Sequence, residues 1–530
     1  AIMSAAYQYT DEDSVPILLE RSAARRPQST AITIGAVQIP YGGLLRKVQS
    51  LAQGLFEQGI RSGDRVALML PNTPAYVMSC YALLQLGAVV VNVSPSSQGA
   101  ELVSILRQSE AKVLIALDVF LPGLYRVLDK SPVKCLIISS VQGLEKQLPV
   151  PAQVPSPIDL TTLMLPPAHA GMTRAARCDD LAVIQCTSGS TGTPKCVMLS
   201  HRNLLASVQQ SAQWMNEPET PNAGVLCVIP FFHVFGMTIG LHLTLAKGYR
   251  MILVPRFDAL DLMPIVKLIE TERPLSFPAV PTLWAALLSH PAATPELLSC
   301  IQVASSGGAA LPDWVAARFR ERTGRPIYEA YGLSEVAGAA LCSAFPQGSP
   351  VGSVGRPLSA VTVKLCDPSD PARQVAAGEV GELALCGDVV MRGYVGNPVL
   401  TDSVLRDGWL YTGDLARQGE DGCYSIVDRK DDLIITSGYN VYPSEVESVL
   451  AQHPAVADVA VSGRADRLRG QVVIAYVVLR EGQSVSAEEL TALCRSNLPD
   501  YKVPRSVLCT DKVPRNPAGK TLRRSLPSVG

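Results

Sequence analysis

Thr187-Ser-Gly-Ser-Thr-Gly-Thr-Pro-Lys-Cys-Val-Met-Leu199, TSGSTGTPKCVML, is the stretch on which the reading of this chain turns. It holds three glycine or proline breaks, five hydroxyl side chains and a single lysine. Leu181-Ala-Val-Ile184 ahead of it is an apolar run of strand length, and Val197-Met-Leu199 opens another. A strand ending in a Ser/Thr/Gly turn gathers backbone N–H groups and hydroxyls at one point. Proteins hold a phosphate chain in this way, here with Lys195 as the point charge. The spacing is Gly189-x-x-Gly192-x-x-Lys195. Walker A sequences place four residues between the glycines and end in Gly-Lys-Ser/Thr, so a P-loop kinase or GTPase is disfavoured. A flexible linker rarely sets one Pro-Lys directly before an apolar strand.

Outward from this stretch, 530 residues exceed what one core usually supports, so at least two domains are expected. Hydrophobic residues make up 47% and the net charge is −1, an ordinary foldable chain without the electrostatic footprint of a nucleic-acid or anionic-membrane binder. The apolar runs near Val66–Leu70 and Ala88–Val91 are too short for a membrane span. No charged region followed by an apolar core marks a signal peptide, and a cytoplasmic location is expected. The thirteen cysteines are scattered without a C-x-x-C pair, and read as reduced core residues, with no zinc site or disulfide frame.

From about Ser14 to Leu148, helical stripes such as Leu44, Leu45, Val48, Leu51, Ala52 and Leu55 alternate with short apolar strands, the pattern of a mainly parallel, doubly wound sheet. The proline-rich stretch Leu148–Met172 reads as a surface connection. After the phosphate stretch, Val225–Phe232 reads as a strand ending in Pro230-Phe-Phe-His233, and Val234-Phe-Gly-Met237 would wall that histidine. Ile301–Ser306 reads as a strand running into Gly307-Gly308-Ala309, where glycines admit a flat ligand close to the backbone. Tyr331 in Tyr-Gly-Leu-Ser-Glu335 offers an aromatic face, and Glu335 a hard oxygen ligand. Gly352–Tyr424 reads as a small antiparallel barrel or meander. Trp409-Leu-Tyr-Thr-Gly-Asp414 would set a carboxylate after a tight turn. Asp428-Arg-Lys-Asp-Asp432 between two apolar runs suits an interdomain connector, followed by an α+β domain of about 100 residues.

These blocks, in this order, resemble the adenylate-forming superfamily of acyl-CoA synthetases, aryl-CoA ligases, luciferases and peptide-synthetase adenylation domains. The likeness spans nearly the whole chain, about Ser14 to Arg524. It implies an α/β fold: a large N-terminal domain, 1–430, of two doubly wound sheets and a small β-barrel, and a small mobile α+β domain, 431–530. By the same resemblance Thr187, Ser188, Gly189, Ser190, Thr191, Gly192 and Lys195 cradle the phosphates of ATP. Gly307, Gly308, Ala309 and Tyr331 hold adenine, Asp414 and Arg429 bind ribose, and Glu329 and Ile426 also belong to the ATP site. Ser334 contacts the α-phosphate and Glu335 the magnesium. His233 sits by the acyl carboxylate, Asp431 is the hinge, Gly438 and Tyr439 line the CoA passage, and Lys520 is the catalytic lysine. Ser334 for threonine, Glu329 for a neutral residue and Ala518 for serine depart from the family's pattern.

The acyl pocket implied by the resemblance draws on His233, Phe235, Gly236, Met237, Val280, Ser305, Ser306, Gly332 and Ala337. Apart from the histidine these are apolar or small, which favours a fatty, aryl or polycyclic acid. The implied reaction is an ATP- and magnesium-dependent acyl-adenylation followed by transfer to CoA. The alternatives are transfer to a carrier protein's phosphopantetheine arm, a non-catalytic relative, or a luciferase-type oxygenase.

Overall fold

A computed structural model describes residues 8–140, 150–164, 176–187, 194–216, 220, 222–258, 261–515 and 521–527. The expectations for Ser188, Gly189, Ser190, Thr191, Gly192 and Lys520 lie outside the described residues, and of Thr187 only the backbone is described. The chain divides into two compact units: Ala1–Thr362 with Leu385–Leu410, and Val363–Ala384 with Tyr411–Gly530.

The first unit holds the two expected sheets. One runs Arg356–Pro357, Gly338–Cys342, Ile327–Leu333, Val303–Gly307, Ser276–Ala279, Gly224–Cys227, Arg250–Leu253, Thr30–Ile34, Val37–Pro40. Its middle pairs are parallel and its outer ones antiparallel. The other runs Gly393–Tyr394, Lys195–Ser200, Leu181–Thr187, Val89–Asn92, Arg65–Met69, Val113–Leu117, Cys135–Ser139, Pro157–Asp159, and is parallel from Leu181–Thr187 onward. Strands buried on both faces read as continuous apolar runs, as Val89-Val-Val-Asn92 does. The helix Tyr41–Glu57 buries the stripe Leu44, Val48, Leu51, Ala52 and Leu55, as its period requires. The helix Pro74–Gln85, capped by Thr73, is buried almost all round, and its Tyr76 hydroxyl reaches Asn92 at a strand end and the Phe231 carbonyl beyond the strand Gly224–Cys227.

Three expectations change. Pro157–Asp159 adds a parallel edge strand beside Cys135–Ser139, and Leu160 and Leu163 are buried, so this part of the proline-rich stretch belongs to the fold. The strand expected over Val225–Phe232 stops at Cys227. Beyond it the Asn72 amide donates to the Cys227 and Ile229 carbonyls and accepts from the Phe231 N–H, replacing the ladder with side-chain bonds. Cys186 and Cys196 form a disulfide, contrary to the reading of all thirteen cysteines as reduced. They face each other in the antiparallel pair of Leu181–Thr187 and Lys195–Ser200, a proximity that spacing alone does not reveal.

In the second unit, a small antiparallel sheet includes Val380–Cys386, Trp409–Gln418 and Tyr424–Arg429, as expected of a barrel or meander. Asp414 stands inside Trp409–Gln418, and the tight turn lies before the strand, where Asp407 and Gly408 have φ of 51° and 79°. The second sheet pairs the hairpin Val456–Asp466 and Gly470–Leu479 with Ile434–Thr436, Tyr439–Val441 and Ser506–Cys509. Pro443–Leu450 and Ala487–Asn497 cover its core.

Candidate active site

Within the first unit the site is assembled at strand ends. Thr187 and Lys195 are register partners at the close of their antiparallel pair, so the phosphate stretch springs from a fixed neck. Beside it runs a chain of buried polar side chains that the sequence did not disclose. Asn92, at the end of Val89–Asn92, donates to Gln185 Oε1 at 3.0 Å. Gln185 donates to the Phe232 carbonyl at 2.5 Å. The Tyr76 hydroxyl lies 2.6 Å from Asn92 Oδ1 and 2.9 Å from the Phe231 carbonyl. With Asn72, these groups clamp the turn Pro230–His233 from several directions. In sequence these are turn, strand and helix residues like any other, and only the fold shows that each is buried.

His233 projects from this clamped turn. Its Nδ1 accepts the Phe235 N–H at 3.3 Å, which leaves Nε2 to carry the proton of the neutral ring. The ring is exposed to solvent at the surface of the turn, yet the protein mass packed around it disfavours the charged form and holds its pKa below the ordinary histidine value. The result is a neutral N–H donor held by its own backbone. Gly236 follows at the start of the π-helix Gly236–Leu243, where a Cβ would stand 2.2 Å from the Pro230 carbonyl oxygen. Close packing on the turn requires this glycine, whatever its place on an acyl wall.

Of the other expected wall residues, the Phe235 ring edge is 3.4 Å from the Cβ position of Gly307, and a Val280 methyl is 4.0 Å from that of Gly308. Phe235, Val280 and the Gly307-Gly308 turn are therefore neighbours. Gly308 has a φ of 89°, which favours glycine. Ser305 and Ser306 lie in the buried strand Val303–Gly307, with the Ser306 hydroxyl unpartnered. Met237 and Ala337 are fully buried, and Gly332 lies against the Gly338 carbonyl.

Glu329, beside Ser306 in register, is 8% exposed, and burial raises its carboxyl to about 7 despite the Leu311 N–H it accepts at 3.4 Å. Two residues on, Tyr331 is partly exposed, and Ala309 is exposed beyond Gly308. Ser334 and Glu335 form the turn Ser334–Val336. Glu335 Oε1 accepts the Tyr394 hydroxyl at 2.8 Å, and its carbonyl accepts the Met391 N–H. Tyr394, unforeseen in the sequence, orients the carboxylate from the edge strand Gly393–Tyr394. Among the described residues no three metal-ligating side chains cluster. A single carboxylate such as Glu335 nonetheless fits magnesium, which takes most of its ligands from phosphates and water.

In the second unit Asp414 and Arg429 are cross-strand partners joined at 2.6 Å, with Asp414 6% exposed. Ile426 lies half-buried on the same strand as Arg429, and Asp431 is exposed in the turn Lys430–Asp432. Tyr439 is exposed next to Gly438 and stacks on Tyr501 with ring centroids 4.6 Å apart.

The family model described as AMP-binding enzyme matches residues 19–395, and the one described as AMP-binding enzyme C-terminal domain matches 445–520. The chain belongs to the AMP-binding enzyme family. This AMP-binding enzyme is 37% identical to the long-chain-fatty-acid–CoA ligase of Bacillus subtilis (strain 168), over 96% of the chain and 93% of the relative. It is 35% identical to a feruloyl-CoA synthase of Amycolatopsis sp, over 95% and 96%. Its fold matches that of o-succinylbenzoate coenzyme A synthetase (MenE) from Bacillus subtilis in complex with ATP and magnesium ion, with a TM-score of 0.80, 28% identity and coverage of 96% and 98%. The likeness to adenylate-forming enzymes thus holds from end to end. No described helix of this AMP-binding enzyme is long and apolar enough to cross a membrane.

Proposed function

We propose that this chain is an AMP-forming acid–thiol ligase that joins a fatty or aryl carboxylic acid to CoA through an acyl-adenylate, in the cytoplasm. The observation that carries the reading is the end-to-end match to CoA ligases of fatty and aryl acids. The His233 ring held by the Phe235 N–H, and the apolar Phe235 and Val280 side chains against the Gly307-Gly308 turn, agree with it.

In the first half-reaction a carboxylate attacks the α-phosphate in line and pyrophosphate leaves. The obstacle is the approach of one anion to a polyanion, so the work is positioning and charge neutralisation. His233 donates to an oxygen of the acid and orients it without adding a second negative charge. Lys195 and the hydroxyls of Thr187, Ser188, Ser190 and Thr191 hold the leaving phosphates. Ser334 meets the α-phosphate, and Lys520 meets the charge that builds there. Glu335, oriented by Tyr394, would hold magnesium, which supplies positive charge to the phosphate oxygens. Tyr331, with Gly307, Gly308 and Ala309, faces adenine, while Asp414, Ile426 and Arg429 serve the ribose side. In the second half-reaction a thiol attacks the adenylate carbonyl along a passage lined by Gly438 and Tyr439. The mobile domain, 431–530, turns about Asp431 between the two steps.

Pyrophosphate release across a panel of carboxylic acids, with ATP and magnesium and with or without CoA, tests the reading. One acid class should give pyrophosphate and, with CoA, a thioester. Pyrophosphate without any CoA product would move the acceptor to a carrier-protein thiol. Lys520→Ala should lower adenylation by orders of magnitude while sparing thioester formation from a supplied acyl-adenylate. Equal loss of both steps would contradict the role given to Lys520.

A further inference from the structure

We propose that Cys186 and Cys196 are a reversible redox-modification site that sets ATP affinity: the bridged form binds ATP weakly and the dithiol form binds it well. The inference rests on the ATP reading above and adds to it a control by thiol chemistry. Cys186 and Cys196 are opposite residues on Leu181–Thr187 and Lys195–Ser200, bridged in the structure. The next pair along the same ladder is Thr187 and Lys195, from which the phosphate stretch departs. The modification therefore lies one rung from the charge assigned to the leaving phosphates.

The other eleven cysteines are free, and seven of them are buried. Cys196 is 1% exposed, whereas Cys186 is half-buried and is the sulfur a small reagent reaches first. The bridged rung has its Cα atoms 4.0 Å apart. Ordinary antiparallel partners stand about 4.5 or 5.5 Å apart. Reduction removes this covalent tie one rung from Lys195 and frees the neck to move, and groups that clamp a reacting phosphate are sensitive to displacements of about 1 Å. The chemistry is an exchange with a low-molecular-weight disulfide such as oxidised glutathione. One protein thiolate attacks a glutathione sulfur and releases one glutathione thiol. The second protein thiolate then attacks the mixed disulfide, forming the Cys186–Cys196 bond and releasing the other. Two thiols are oxidised, one disulfide is reduced, and two protons pass to the released thiols.

The test uses the full chain equilibrated across glutathione redox buffers. Tryptic cleavage after Lys195 separates the Cys196 peptide from the one that carries Cys178 and Cys186, and fragment masses of the joined peptides assign the bridge to Cys186. ATP affinity is measured on the same samples by calorimetry, with no acid substrate present. Bridging should weaken ATP binding at least about tenfold, and dithiothreitol should restore it. A Cys186→Ala, Cys196→Ala double variant should bind ATP as the reduced wild type does and ignore the buffer. The proposal is overturned if the peptides never join, if they join without a change in affinity, or if the double variant responds like wild type. It is also overturned, together with the ATP reading, if ATP binds in neither state. If affinity follows the bridge but no acid releases pyrophosphate, the redox site stands and the ligase reading falls.

Discussion

Tyr76 shows how much of the site depends on residues remote from any reacting atom. Its hydroxyl proton is shared between Asn92 and the Phe231 carbonyl, both out of water. Tyr76→Phe leaves buried acceptors without that donor, which typically costs about 1–3 kcal/mol. The expected outcome is a lower urea midpoint together with a lower kcat, because the turn that carries His233 loosens. An unchanged kcat in a destabilised variant would separate the clamp from catalysis. His201 and His242 make a second residue-level prediction. Both are 0% exposed and held neutral by burial, at about 4 and about 3. An unfolded histidine titrates at about 6.5. As pH falls below that value the unfolded chain takes up protons that the fold refuses. Stability then declines by up to about 1.4 kcal/mol per pH unit for each histidine, until the folded values are reached. Protonation of Glu329, held at about 7, offsets roughly one histidine's share over this window, so urea midpoints should still fall between pH 7 and pH 5, and equal midpoints would remove this account. His233, Glu335 and Asp414 were legible in the sequence because each sits in a motif with a fixed order. Asn72, Asn92, Gln185 and Tyr394 were not, since a polar residue becomes informative only when depth shows that it has no water to turn to.

Elements followed the same division. The helix Tyr41–Glu57 announced itself by its stripe, and the apolar runs Val456–Val461 and Val472–Leu479 read as strands, whereas their pairing as the hairpin Val456–Asp466 with Gly470–Leu479 shows only in the fold. The strand ending at Cys227 was overrun because Val228, Ile229, Phe231 and Phe232 are as apolar as a strand, while the Asn72 side chain that ends the ladder lies 155 residues away. At Pro443–Leu450 an element-level link bears on the proposed hinge. Ser444 donates its N–H to Asp428 Oδ2 at 3.0 Å and its hydroxyl to the Val427 carbonyl at 2.8 Å. These bonds tie residues on either side of Asp431, so a turn about that residue must break them. Ser444→Ala removes the hydroxyl bond, worth about 1 kcal/mol, and should change the relative rates of the two half-reactions about fivefold. Single-turnover rates of adenylation and thioester formation measure the split. A proportional change in both would count against rotation at this point.

For the whole molecule, two sheets and a later α+β part were predictable from alternating strands and helices, but the way the first unit closes was not. It is completed by Leu385–Leu410. Within that segment Gly393–Tyr394 pairs with Lys195–Ser200, and the Asp388 and Val390 carbonyls take the Asn203 amide at 2.7 and 2.8 Å. A chain ended at residue 384 leaves Lys195–Ser200 as an open sheet edge, which favours association. Such a chain should aggregate on expression, whereas one ended at residue 430, which keeps Leu385–Leu410 and the strands that pair with Val380–Cys386, should sediment as a smaller species. Equal solubility of the two would refute this role for the closing segment. The interruption by Val363–Ala384 also bears on ancestry and exchange. A single recombination event after Thr362 would leave one parent's first unit waiting for the other parent's closing strand. Whole units can be traded only by crossovers at several junctions together, so hybrids of this chain should be viable chiefly when both ends of the inserted segment travel with it.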